Sequence, residues 1–148
     1  MIVNKINIDK ITKTFELTCP LLKQNLVHQI FIVGSVSKGT AKEDSDIDVI
    51  LYNQNFEHNL ECLDTNIKYT DKFLIKLVDK LNECIDETVH KIEYKHKIRN
   101  DFYYQKYKHE LFHFMITNEK DYIIKYDKEY IEITEELCNE VYEYKNNK

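Results

Sequence analysis

Apolar residues fall in short, strongly patterned runs along the chain. Gln29 to Val33 (QIFIV) is a β-branched run stopped by Gly34, which predicts a buried strand. Asp46 to Tyr52 (DIDVILY) predicts a second strand, with Ile47, Val49 and Leu51 turned to the core and the aspartates turned away. Tyr69, Phe73, Leu74, Leu77, Val78, Leu81, Cys84 and Ile85 recur at helical spacing and predict an amphipathic helix. Two longer segments, Thr88 to Arg99 and about Gln105 to Thr117, are rich in Tyr, Phe, Ile and His around a polar break at Asn100 and Asp101. They predict a late antiparallel strand pair. Upstream, Thr18 is placed to cap a short helix with Pro20 in its first turn. Downstream, helical turns are expected near Asp121 to Lys128 and from Thr134 to about Tyr144, with Glu135 and Glu136 at the favourable end of the latter. This order implies an α/β (α+β) domain with a mixed sheet packed with helices. The expected organisation is one domain over residues 1–148, with a short helical extension from about residue 118.

Composition narrows the classes without choosing among them. The chain of 148 residues is long enough for one real core and contains no stretch long enough to span a membrane. Met1 to Lys10 lacks the apolar core and small-residue cleavage site of a secretory signal. Cys19, Cys62, Cys84 and Cys138 are scattered without a CxxC spacing, which reads as four reduced thiols in a cytoplasmic protein. A net charge of -5 argues against a surface that coats nucleic acid. One segment departs from that balance: Val89 to His109 carries Lys91, Lys95, Lys97, Arg99, Lys106 and Lys108 against Glu93 and Asp101.

The chemistry concentrates in Phe31 to Tyr52. The chain has only two glycines, Gly34 and Gly39, and both lie directly after the first predicted strand. Glycine allows close backbone approach and unusual dihedrals, and a strand-to-helix turn of this kind presents N–H groups to an anion. Ser35 adds a hydroxyl and Lys38 a charge, so the turn outlines a phosphate cradle. Asp46 and Asp48 are two apart on a predicted strand and leave the same face. Two carboxylates so held disfavour joint ionisation unless a cation compensates, and Mg2+ suits carboxylate and phosphate oxygens.

Together these residues resemble the signature of the nucleotidyltransferase superfamily that includes DNA polymerase beta. Gly34-Ser35, ten residues, then Asp46-Ile47-Asp48 is most similar to the minimal nucleotidyltransferases, and Lys38-Gly39-Thr40 and Asp44-Ser45-Asp46 extend the likeness. Lys38 stands where that family commonly has arginine, which keeps the charge and loses the bidentate fork. The resemblance implies a palm-like mixed sheet and transfer of a nucleoside monophosphate from a triphosphate, with ATP expected, assisted by two Mg2+ ions. It assigns Asp46 and Asp48 to the metals and Gly34, Ser35 and Lys38 to the nucleotide phosphates.

The same resemblance implies a third acidic residue on a later strand. Glu110, in Tyr107 to Phe112, is the first choice for this catalytic and metal-binding role, and Glu93, in Ile92-Glu93-Tyr94, is its rival. His109 and His113 are four apart, about 13 Å on a strand, so structural or acceptor-contact roles suit them better than zinc ligation. The acceptor stays open among three readings. One is a protein or small-molecule hydroxyl, including a toxin partner of an antitoxin-like enzyme. Another is RNA or DNA gripped through residues 89–109, where lysines and aromatic rings interleave. The third is a non-catalytic nucleotide-binding or interaction module.

Overall fold

The computed structural model describes residues 5–55, 60–63, 66–69, 76, 77, 79–81, 83, 90–95, 102–105, 112–120 and 129–146. A strand as apolar as QIFIV must be covered on both faces and paired on both edges. β1 (Gln29–Val33) achieves this, with Ile30 and Ile32 buried on one face and Phe31 and Val33 on the other. It runs antiparallel to β2 (Ile47–Tyr52), which begins one residue later than the expected strand and leaves Asp46 just outside it.

Beyond β2 the pairing differs from the sequence expectation. The hairpin of β3 (Leu60–Leu63) and β4 (Asn66–Tyr69) forms a separate two-stranded sheet and takes Tyr69, the first residue of the expected amphipathic helix. Among the described residues Lys76, Leu77, Asp79, Lys80, Leu81 and Glu83 are helical, and Leu77 and Leu81 are fully buried. Phe73, Leu74, Val78, Cys84 and Ile85 lie outside the described residues. Among the described residues the tyrosine-rich region holds three short strands where two long ones were expected: β5 (His90–Lys95), β6 (Phe102–Gln105) and β7 (Phe112–Thr117). β5 and β6 form an antiparallel pair. The segment ending at Thr117, expected to pair antiparallel with Thr88 to Arg99, instead places β7 parallel to both β5 and β2. Strands of five or six residues are the norm, and continuous aromatic content concealed the extra break.

The main sheet is completed by β8 (Ile131–Ile133), an edge strand on β1 between the two helical stretches expected of the tail, giving the mixed order β6-β5-β7-β2-β1-β8. The first of those stretches, residues 121–128, lies outside the described residues. Helices cover one face. α1 (Lys5–Lys23) replaces the short helix expected after Thr18, and Thr18 and Pro20 lie near its end, not at its start. Its periodicity was hard to read because its buried face carries Asn7, Lys10, Thr14 and Thr18 beside Phe15, Leu21 and Leu22. α2 (Gly34–Lys38) joins β1 to β2. α3 (Glu135–Asn146) starts where expected: the Leu137 N–H donates to the Thr134 hydroxyl at 3.2 Å, and Glu135 and Glu136 fill the first turn.

One core cluster joins Ile30, Ile32, Ile47, Val49, Leu51, Phe114 and Ile116 to α1, Leu77, Leu81 and Cys138. Cys138 is also disulfide-bonded to Cys19, with Cα atoms 5.7 Å apart. This corrects the expectation of four reduced thiols. The two cysteines are 119 residues apart in sequence and meet because α1 packs on α3, which no local spacing reveals. No helix among the described residues is long and apolar enough to cross a membrane.

Candidate active site

The ends of β1, β2 and β7 meet at one place on the sheet. β1 delivers Gly34 and Ser35 as it enters α2. Antiparallel pairing then sets Val33 opposite Asp48, so the start of β2 lies beside that turn. Both glycines adopt positive φ, 73° at Gly34 and 78° at Gly39, as the two-glycine pattern requires. Gly39 ends α2 in the left-handed region, with its N–H on the Val36 carbonyl at 3.3 Å. The Ser37 hydroxyl donates to the Gly34 carbonyl at 2.8 Å and the Thr40 N–H to the Ser35 carbonyl at 2.9 Å, so the turn is closed on itself. Val33 at the N-cap contributes no side-chain hydrogen bond. Ser35 is half-buried and Lys38 is exposed on the last turn of α2.

Asp48 lies on the sheet face opposite the main core cluster. Ile47 and Val49 on either side of it are fully buried, and its own side chain is 23% exposed. One carboxylate oxygen lies against Gly34: a Cβ on that glycine would sit 2.5 Å from Asp48 Oδ2. Any side chain at position 34 would therefore combine an unfavourable φ with a collision against the carboxylate. The other oxygen, Oδ1, lies 3.1 Å from His113 Nδ1, whose ring is 18% exposed. A carboxylate oxygen only accepts, so Nδ1 carries the proton in this pair. Parallel pairing explains the meeting, because Asp48 and His113 are register partners on β2 and β7.

From sequence His113 carried a structural or acceptor-contact role, with no expected link to Asp48. It stands on the strand beside Asp48, in the row where a neighbour of that aspartate must come. Glu110, the first choice for a third carboxylate, lies outside the described residues. Its rival Glu93 is on β5, one strand beyond β7, in register with Met115 and so two positions along from the His113 row. Asp46 is half-buried and immediately precedes β2. Among the described residues no three His, Cys, Asp or Glu side chains are grouped closely enough to hold a metal by themselves. Mg2+ does not need such a cage, since it commonly takes one or two carboxylates and completes its shell with substrate phosphates and water.

The loop that delivers Asp46 is fastened from inside. The Lys42 N–H donates to the Ser45 hydroxyl at 2.9 Å, the Ser45 N–H to the Lys42 carbonyl at 3.1 Å, and Lys10 Nζ reaches the Ser45 and Glu43 carbonyls. A cleft of 520 Å³ near His28 and Thr134 lies at the opposite end of β1 from Gly34 and is separate from this site.

No curated protein and no solved structure matches the chain. A family model does, the one described as the nucleotidyltransferase domain, over residues 18–133. That span contains the glycine turn, both aspartates and the strands that bring His113 to Asp48. With its mixed sheet and this turn, the chain belongs to the nucleotidyltransferase domain family, part of the polymerase beta-like superfamily.

Proposed function

We propose that the protein moves a nucleoside monophosphate from ATP to an acceptor hydroxyl on a protein or small molecule, with Asp46 and Asp48 holding two Mg2+ ions. The observation that supports this most is the carboxylate of Asp48 pressed against the glycine turn, in a chain of this family. Gly34 and Ser35 receive the β- and γ-phosphates on the turn, where a side chain at position 34 would obstruct both the phosphates and the aspartate. Lys38 supplies positive charge beside them. Asp48 is oriented by His113, and Asp46 is held at the end of a tied loop. Glu110 is the third carboxylate in this reading, with Glu93 as its rival. Mg2+, when bound, lowers the pKa of the attacking hydroxyl and offsets charge on the leaving pyrophosphate.

The net charge of -5 and the ten-residue spacing between Gly34-Ser35 and Asp46 favour a protein acceptor, such as a toxin partner, over nucleic acid. The basic segment 89–109 keeps RNA or DNA as the second reading. The Cys19–Cys138 disulfide does not support the cytoplasmic placement that scattered cysteines suggested, because such bonds are uncommon there.

ATP labelled on its α-phosphate, incubated with Mg2+ and the protein, tests the reading. A protein lysate, RNA and primed DNA serve as separate acceptors. Label should enter protein, and replacing both Asp46→Asn and Asp48→Asn should lower transfer by about 10³-fold or more, with the fold intact by circular dichroism. Label in nucleic acid alone would favour the second reading. Undiminished transfer by the double variant would end the proposal.

A further inference from the structure

The family match begins at residue 18, so most of α1 precedes the segment by which the chain is placed in its family. The helix nevertheless reaches the site. Toward its C-terminus the buried face is apolar, with Phe15, Leu21 and Leu22 in the core. Beside these a polar stripe runs down from the N-terminal end: Asn7, Lys10, Thr14 and Thr18 follow one another at three- and four-residue steps, and all are buried. The Thr14 and Thr18 hydroxyls turn back to helix carbonyls at 2.8 and 2.6 Å. Asn7 and Lys10 instead reach out of the helix. Asn7 Nδ2 donates to the Val36 carbonyl, in α2, at 2.9 Å. Lys10 Nζ donates to the carbonyls of Ser45 at 2.7 Å and Glu43 at 3.2 Å.

A lysine only 7% exposed is an expensive way to hold a loop. Burying an ammonium is unfavourable unless its donors are satisfied, and an apolar residue of similar volume commonly packs as well or better. What the ammonium adds is direction: it fixes two carbonyls of the loop, one and three residues before Asp46. Asn7 does the same for the helix that follows Gly34. One helix thus touches both arms of the site, the phosphate turn through Val36 and the aspartate loop through Glu43 and Ser45.

We infer that Lys10 is a positioning residue for Asp46. Through it the part of α1 that precedes the family-matched segment sets where that carboxylate meets a divalent cation. The inference rests on the proposed role of Asp46 as a metal-holding group.

The test compares wild type, Lys10→Met, Lys10→Gln, Asp46→Asn and the Lys10→Met/Asp46→Asn double variant, each checked for folding by thermal circular dichroism. Mn2+ affinity is read by electron paramagnetic resonance with a non-hydrolysable ATP analogue present. Affinity for the analogue itself is read by calorimetry. Lys10→Met should weaken Mn2+ binding roughly tenfold or more while analogue binding stays within about twofold. Lys10→Gln, which keeps one amide donor, should lie between, and it carries the test alone if Lys10→Met does not fold. In the Asp46→Asn background Lys10→Met should add nothing further to the loss of Mn2+ affinity. Mn2+ affinity equal to wild type in the folded Lys10 variant would overturn the inference. So would the same fold-loss with and without Asp46, which is the signature of general loosening. Absence of Mn2+ binding in wild type, by contrast, would remove the proposed function first and this inference with it.

Discussion

The central strands carry two different surfaces on alternate residues. On the face under the helices, Ile30 and Ile32 of β1, Ile47, Val49 and Leu51 of β2, and Phe114 and Ile116 of β7 are fully buried in one cluster with α1, Leu77, Leu81 and Cys138. On the other face the alternate residues Phe31, Val33, Ile50 and Met115 form a cluster of only four, and at its end stand Asp48 and His113, partly exposed. A strand period of two makes this division possible, because one face can be spent wholly on stability while the other holds charge. A carboxylate is tolerable in the middle of a sheet only where the apolar cover ends.

The largest effect should come from exchanging the two kinds of residue. Leu51→Ala removes a fully buried side chain and should cost about 2–5 kcal/mol of stability, lowering Tm by on the order of 10 °C. Nucleotide transfer per folded molecule should be unchanged. The Asp46/Asp48 double variant should behave the opposite way, losing transfer and little stability. A Leu51→Ala protein that unfolds no more easily but transfers poorly would erase the distinction between the faces.

The helix-covered face has a covalent staple, and removing it sharpens the contrast. Cys19 and Cys138 tie α1 to α3 over most of the chain length, so the bond restricts the unfolded chain strongly. Reduction, or Cys19→Ser with Cys138→Ser, should cost about 2–4 kcal/mol by denaturant titration. Cys19 lies nine residues from Lys10, about 13 Å along the helix, so transfer well below Tm should be unaffected. Loss of transfer on reduction with unchanged circular dichroism would mean that the staple and the site are coupled.

How much of this was legible in the sequence follows the same division. β1, the glycine turn and β2 were readable because each announced itself locally: a β-branched run, the only two glycines in the chain, and alternation around Asp48. Partnership was not local. Proximity along the chain groups the strands of residues 88–117 with one another, whereas β7 lies between β5 and β2 and parallel to both, a choice made by long-range packing. That pairing is also why the contact of His113 with Asp48 was not foreseen: nothing in FHF marks a residue that will stand beside an aspartate 65 positions earlier. α1 was hidden for the reverse reason, since Asn7, Lys10, Thr14 and Thr18 interrupt the apolar period of Ile11, Phe15 and Leu22 on its buried side.

His113 gives the smallest expected effect and the most specific one. Its Nδ1–H holds one oxygen of Asp48 at 3.1 Å while Gly34 crowds the other, so the carboxylate is fixed from two sides. A hydrogen bond to the neighbour of a metal-holding carboxylate typically changes affinity or rate by about tenfold or somewhat more. His113→Ala should therefore lower transfer by roughly tenfold, with Tm shifted by only a few degrees because the ring is partly exposed. His113→Asn separates orientation from bulk. Its amide nitrogen can stand near the place of Nδ1 and donate to Asp48, so it should recover most of the lost rate. Aspartate at the same position keeps the size but offers no donor and sets a second negative charge beside Asp48, so without added metal His113→Asp should be the least stable of the three. If His113→Asn were as slow as His113→Ala, the histidine would be contributing something other than the orientation of Asp48. The partly exposed face would then owe its chemistry to the imidazole itself and not only to the carboxylate it holds.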